Sequence, residues 1–80
     1  MIHASKLFAL MDERDGKGNR KPFSFKFRKV STGEVVEATD VTLLKYYHRQ
    51  GYFNMQWPNG EIRSIDYVSI IEFKGVEVAL

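Results

Sequence analysis

The segment Phe23-Ser24-Phe25-Lys26-Phe27-Arg28 constrains this chain more tightly than any other. Its strict alternation places three phenylalanines on one face of a β-strand and Ser24, Lys26 and Arg28 on the opposite face. The three rings must turn inward together, so the strand belongs to a sheet with a covered face. Lys26 and Arg28 are then left to meet whatever lies outside.

The neighbouring sequence supplies partners for that strand. Ser31-Thr32-Gly33 suits a type I turn with Gly33 in the left-handed position, giving a three-residue hairpin loop and a return strand over Glu34–Thr39. This loop sets Val36 opposite Arg28 and Glu37 opposite Phe27, and the apolar faces do not align. Either a bulge shifts the register or both faces are partly covered. A second hairpin runs from Tyr52–Trp57 through Pro58-Asn59-Gly60, with proline preset for the first turn position and glycine where φ must be positive. Pairing Trp57 with Glu61 places Met55 across from Arg63 and Phe53 across from Ile65, so one face collects Phe53, Met55, Trp57 and Ile65. Asp66-Tyr67-Val68 reads as a connector. Ser69–Phe73 and Val76–Ala79 form a third pair around Lys74-Gly75, with Ile71, Phe73, Val76 and Val78 as core.

Two segments point to helix. Residues 4–13 carry Leu7, Phe8, Leu10 and Met11 at three- and four-residue spacing among good helix formers. The Asp15-Gly16-Lys17-Gly18-Asn19 turn ends that helix before Pro22. So short a helix must dock on the sheet to persist. Over Asp40–Gln50 the reading is divided. Asp40 suits a helix cap, Leu43, Leu44 and Tyr47 a helical face, and Gly51 a C-terminal stop. Yet Val41, Thr42, Tyr46 and Tyr47 are strand formers. Helix is the preferred reading, with strand as its alternative.

At 80 residues the chain reads as one domain with a modest core, of the size that is commonly reinforced by disulfides, metal or oligomerisation. It has no cysteine, and its two histidines, His3 and His48, lie far apart in sequence. Disulfides, thiolate metal sites and thiol nucleophiles are thereby removed, which leaves oligomerisation. A hydrophobic content of 44% argues against disorder. No apolar run approaches the about 20 residues needed to cross a bilayer, and the first residues lack a signal-peptide pattern. A cytoplasmic protein with no membrane association is expected.

No pattern of residues requires catalysis, a cofactor, a metal or a small-molecule substrate. There is no Gly-x-Ser-x-Gly elbow, and the acid pairs Asp12/Glu13 and Glu34/Glu37 read as solvated charges. The glycine-rich turn fits neither a calcium loop, since Lys17 takes a ligand slot, nor a phosphate loop, since the order is helix, loop, strand.

Two surface features carry the binding hypotheses. Net charge is +2, but Lys17, Arg20, Lys21, Lys26, Arg28 and Lys29 fall between Gly16 and Gly33 with no acid among them. Lys17, Arg20, Lys21, Lys26 and Arg28 are the candidate contacts for a nucleic-acid backbone. Their competing reading is a solvated basic face, or the lysine defence of an edge strand. Tyr46, Tyr47, Tyr52 and Trp57 are the candidate protein contacts, because such amphipathic aromatics are enriched in contact patches.

The runs Phe8-Ala9-Leu10-Met11-Asp12, Pro22-Phe23-Ser24-Phe25-Lys26-Phe27, Gly60-Glu61-Ile62-Arg63-Ser64-Ile65 and Ile70-Ile71-Glu72-Phe73-Lys74-Gly75-Val76-Glu77-Val78 resemble small uncharacterised proteins of prophages and other mobile elements in Bacteroides-type bacteria. That resemblance is one of hydrophobic and turn pattern. It implies a bacterial or phage-infected cytoplasm and brings no activity. The expected fold is α+β, an N-terminal helix packed on an antiparallel sheet of five or six short strands, with an SH3-like small barrel as alternative. The expected role is a non-enzymatic module that self-associates or binds another protein, with nucleic-acid binding as the runner-up.

Overall fold

The computed structural model describes residues 1–80. In chain order the elements are Ile2–His3 (β1), a 3-10 turn over Ala4–Lys6, Leu7–Met11 (α1), Phe23–Arg28 (β2), Val35–Tyr47 (β3), Tyr52–Gln56 (β4), Ile62–Asp66 (β5), a 3-10 turn over Tyr67–Ser69, Ile70–Phe73 (β6) and Val76–Ala79 (β7). The strands form one sheet in the order β1-β7-β6-β2-β3-β4-β5. All pairings are antiparallel except β1 with β7. The fold is α+β with an open sheet. The barrel alternative does not hold, because no ladder joins β5 to β1 and both end strands keep an unpaired edge. No helix is long and apolar enough to cross a membrane.

Phe23, Phe25 and Phe27 are buried, at 3, 2 and 6% exposure. Phe23 and Phe25 meet as tilted rings with centroids 5.8 Å apart, and Phe23 meets Phe73 with centroids 5.3 Å apart. Each such ring stabilises the fold by roughly 1.5–3 kcal/mol through burial. Leu7 and Met11 of α1 are fully buried and close the same core, joined by Leu43, Phe53, Met55, Ile65 and Ile70. The helix is shorter than residues 4–13 suggest: its first turn is 3-10, and α-helix covers Leu7–Met11 alone. Packing of Leu7 and Met11 settles its extent, since so few residues are not helical by propensity.

The segment Asp40–Gln50, preferred as helix, is a strand as far as Tyr47, followed by a turn to Gly51. Asp40 does not cap a helix. It sits at φ 55° in a bulge where the β2–β3 register shifts between Phe23 and Phe25. The β-forming side chains at 41, 42, 46 and 47 find cross-strand partners on β2 and β4, and that pairing overrides helical spacing. β3 therefore serves two ladders in succession, pairing with β2 up to Val41 and with β4 from Thr42.

The first hairpin also departs from expectation. Lys29 and Glu34 are joined by a 2.8 Å backbone bond, and the loop between them has four residues. Phe27 then faces Val36 and Phe25 faces Ala38, which aligns the apolar faces next to the loop, and the bulge in this ladder falls further along, at Asp40. The second hairpin has the expected register, Met55 with Arg63 and Phe53 with Ile65, with Trp57 N–H donating to the Glu61 carbonyl at 2.8 Å. The first strand of the third pair, β6, also lies against β2, and a shift in that ladder between Lys26 and Phe27 sets Ile70 opposite Phe27. Ile70 takes the core place expected for Ile71, while Val76 is 40% exposed. Lys74 and Gly75, with φ 49° and 81°, make the two-residue turn.

Candidate interaction surface

The five basic residues do not make one strip. Lys26 lies on a central strand, not an edge, because β2 is paired by β3 and β6. Those neighbours place Glu37 and Glu72 beside it, and its Nζ lies 3.9 and 3.7 Å from their carboxylates. Arg20 turns back on the fold: its Nε donates to Asp12 Oδ1 at 2.8 Å, and Nη1 to the carbonyls of Leu43 and Leu44 at 3.1 and 2.6 Å. Arg28 donates to the Gly33 carbonyl across its own loop at 2.8 Å. Lys17 and Lys21 are exposed on the small hairpin that follows α1. That hairpin is ordered by Asp15, whose Oδ1 accepts the N–H groups of Lys17 and Asn19.

The Arg20 contacts have a clear origin. β2 ends its pairing at Val41, so the next carbonyls of β3 on that side have no strand opposite them. Backbone acceptors need a partner from the chain or from water, and the guanidinium supplies two bonds there, one to the part-buried Leu43 carbonyl and one to the exposed Leu44 carbonyl. Asp12 fixes its orientation. The Arg20 hydrogen bond, reinforced by the positive charges of Arg20 and Arg14, lowers the carboxyl of Asp12 below its ordinary range. Nothing in the spacing of residues 12, 20, 43 and 44 announces this network, because it depends on where two ladders part.

The four aromatics divide between two faces. Tyr46 points to the core side, stacking on Phe53 at 4.4 Å and on Phe8 at 5.3 Å, with His48 beside it. Trp57 also lies on the core side, edge-on to Phe25, and the Arg63 guanidinium covers its ring at 5.2 Å. Tyr47 and Tyr52 are cross-strand neighbours on the outer face, stacked with centroids 4.7 Å apart. The Lys45 ammonium lies 4.8 Å from the Tyr47 ring. Of the proposed contacts, only this tyrosine pair forms an outward patch. Asn54 and Ser64 continue it, joined by a 2.8 Å hydrogen bond.

Beside the patch lies the unpaired edge of β5. Trp57 and Tyr67 N–H groups bond to the carbonyls of Glu61 and Gly51 at 2.8 and 3.0 Å, which marks where β4 and β5 exchange bonds. By antiparallel alternation, Arg63 and Ile65 turn their backbone groups to β4, whereas Ile62, Ser64 and Asp66 turn theirs outward, where the Asp66 carbonyl accepts the Ser69 hydroxyl at 2.7 Å. β5 has no bulge, proline or glycine, and Ile62 is 58% exposed. The half of β3 before Asp40 also pairs on one side alone, but Glu37 and the left-handed Asp40 blunt it. Sequence reasoning missed the β5 edge, since strand order cannot be read from residues 62–66.

No three His, Cys, Asp or Glu side chains come together in metal-binding fashion. The one His–Ser contact, His3 Nδ1 with Ser5 Oγ at 2.7 Å, belongs to a cap: the Ser5 N–H also donates to that nitrogen, at the start of the first 3-10 turn. No family model, curated protein or solved structure matches this chain.

Proposed function

We propose that the chain is a non-catalytic binding and assembly module that self-associates by extending its sheet at β5. The observation that carries this reading is the contrast between two strand edges. The β3 carbonyls at Leu43 and Leu44 are covered by Arg20, while β5 runs without a bulge and turns the backbone groups of Ile62 and Ser64 outward, with the Asp66 carbonyl at its end shared with the Ser69 hydroxyl. Such an edge is a template for another strand.

A second copy fits the edge in one favourable register. Two-fold antiparallel pairing centred on Ser64 sets Ile62 across from the partner's Asp66, and Arg63 across from the partner's Ile65. Centring on Arg63 instead opposes two like charges, which disfavours it. In the Ser64 register the outer row of Tyr47, Tyr52 and Asp66 gains the partner's Ile62 as its next member, so the tyrosine patch continues across the junction.

Sedimentation equilibrium tests it. The expected result is a reversible dimer at micromolar concentration, which Ser64→Pro abolishes while leaving a folded monomer, because that N–H is not used within the chain. A purely monomeric 9.3 kDa species at high concentration overturns the proposal. So does a Ser64→Pro variant that still dimerises.

A further inference from the structure

We infer that the hollow between the β2–β3 loop and the Tyr67–Ser69 turn is a docking site for an acidic polypeptide segment anchored by an apolar side chain. It lies apart from the β5 edge, and it joins two residues of the basic stretch, Arg28 and Lys29, to aliphatic side chains distant in sequence. Its volume is about 280 Å³, and its walls include Arg28, Lys29, Val30, Val68, Ser69 and Ile71.

Three aliphatic side chains converge there from separate parts of the chain. Val30, at the loop tip, is 85% exposed and Val68, in the 3-10 turn, is 53% exposed. Ile71 reaches the hollow because the shift in the β2–β6 ladder turns Ile70 into the core instead. Single exposed valines are ordinary on a protein surface. Two of them meeting a third aliphatic residue in one concavity make a seat for an apolar group.

The charge of the rim selects the partner. Arg28 and Lys29 border the hollow, and neither forms an ion pair within the chain, unlike Lys26 and Arg20. The Gly33 carbonyl holds the Arg28 guanidinium at 2.8 Å, so this charge is positioned in advance. Of the nearby acids, Glu34 is linked to Lys29 through backbone only and pairs with neither cation. An apolar seat beside two unneutralised cations is complementary to a leucine or phenylalanine flanked by carboxylates. The hollow is smaller than the roughly 300–1,000 Å³ of pockets that enclose drug-sized ligands, which suits one or two side chains of a larger partner. Its concave form favours a peptide over a flat lipid surface.

The test is an NMR titration of the ¹⁵N-labelled 80-residue chain. The probe is the synthetic peptide acetyl-Glu-Glu-Leu-Phe-Glu-Glu-amide. Matched peptides replace glutamate by lysine, or Leu-Phe by Ala-Ala, and phosphatidylglycerol–phosphatidylcholine vesicles form a separate arm. Saturable shifts confined to residues 28–33 and 68–71 are expected with the acidic peptide, weakening as salt is raised. Val68→Asp is expected to weaken binding at least ~10-fold by charging the apolar seat, and Lys29→Glu about 5-fold by reversing a rim charge. Both positions are exposed, and each variant's own spectrum reports whether it is folded. The inference is overturned by absence of shifts at millimolar peptide, by shifts elsewhere on the molecule, by equal binding of the lysine peptide, or by binding to vesicles without binding to peptide.

Discussion

Asp12 Oδ1 holds the Nε of Arg20 at 2.8 Å, and in that grip the guanidinium reaches the Leu43 and Leu44 carbonyls at 3.1 and 2.6 Å. A carboxylate from the end of α1 thus steadies an arginine that substitutes for a missing strand. The pair ties the N-terminal segment to the middle of the sheet at the point where β3 passes from one ladder to the other.

Arg20→Ala is therefore expected to destabilise the protein by about 1–3 kcal/mol, the range for lost hydrogen bonds to a charged donor with acceptors left unsatisfied. Arg20→Lys is expected to recover only part of this, because one ammonium cannot reproduce the planar fork that spans three acceptors. Urea unfolding midpoints measure both. Amide exchange within residues 42–45 is expected to quicken in the alanine variant, and an unchanged midpoint with unchanged exchange would show that water serves those carbonyls equally well.

The same pair gives a pH dependence. Asp12 has a lowered value in the folded protein because of Arg20, and Glu61 because of Arg63, which bonds to it at 2.7 Å. A carboxyl that is more acidic when folded contributes stability fully above its unfolded value, about pH 4. That contribution is lost as pH falls through the lower folded value. Thermal midpoints are expected to decline on the acid side of pH 4, and less steeply in Asp12→Asn than in the parent. A parallel decline in the two proteins would show that the Arg20 contact does not stabilise the charged form.

Leu7 tests the docking of the helix. It is fully buried, so Leu7→Ala is expected to cost about 2–5 kcal/mol. Ala9→Ser, on the exposed side of α1, is expected to change stability by less than about 0.5 kcal/mol. Denaturant titration compares them. Equal effects would mean that α1 is not held by its apolar face.

Gly51 ends the turn after β3 at φ 78°, and a Cβ there would lie 3.3 Å from two atoms of the Tyr67 ring. Gly51→Ala is expected to destabilise by about 1–2 kcal/mol from the left-handed backbone alone. The ring must also yield, so the Tyr67 environment is expected to change, as read by its aromatic NMR signals. Gly33→Ala separates the two effects, since φ is 73° there with open space around it. It is expected to show the backbone penalty without the aromatic change.

How much of this could be read in advance follows from the range of each interaction. The inward turn of Phe23, Phe25 and Phe27 was legible, because a two-residue period is a property of the strand itself. The Trp57–Glu61 hairpin was legible through Pro58-Asn59-Gly60, whose backbone preferences set the register locally. The outward tyrosine pair was legible in part. Tyr46, Tyr47, Tyr52 and Trp57 stand out together as amphipathic aromatics, but only the β3–β4 register shows which two share the outer face. The basic residues look continuous along the chain, yet cross-strand neighbours surround Lys26 with Glu37 and Glu72.

What the chain's own order of residues determined is therefore its strands, their turns and an antiparallel sheet with a phenylalanine-lined face. Tertiary structure alone decided that Asp40–Tyr47 extends the sheet, that Arg20 guards one edge, and that β5 is left open at another. The reason is physical. Periodicity and turn chemistry act over a few residues and are written locally, whereas the choice at 40–47, the unpaired carbonyls and the free edge depend on which strands lie beside which. A dihedral preference is carried by each residue, but a missing neighbour exists only once the sheet has been assembled.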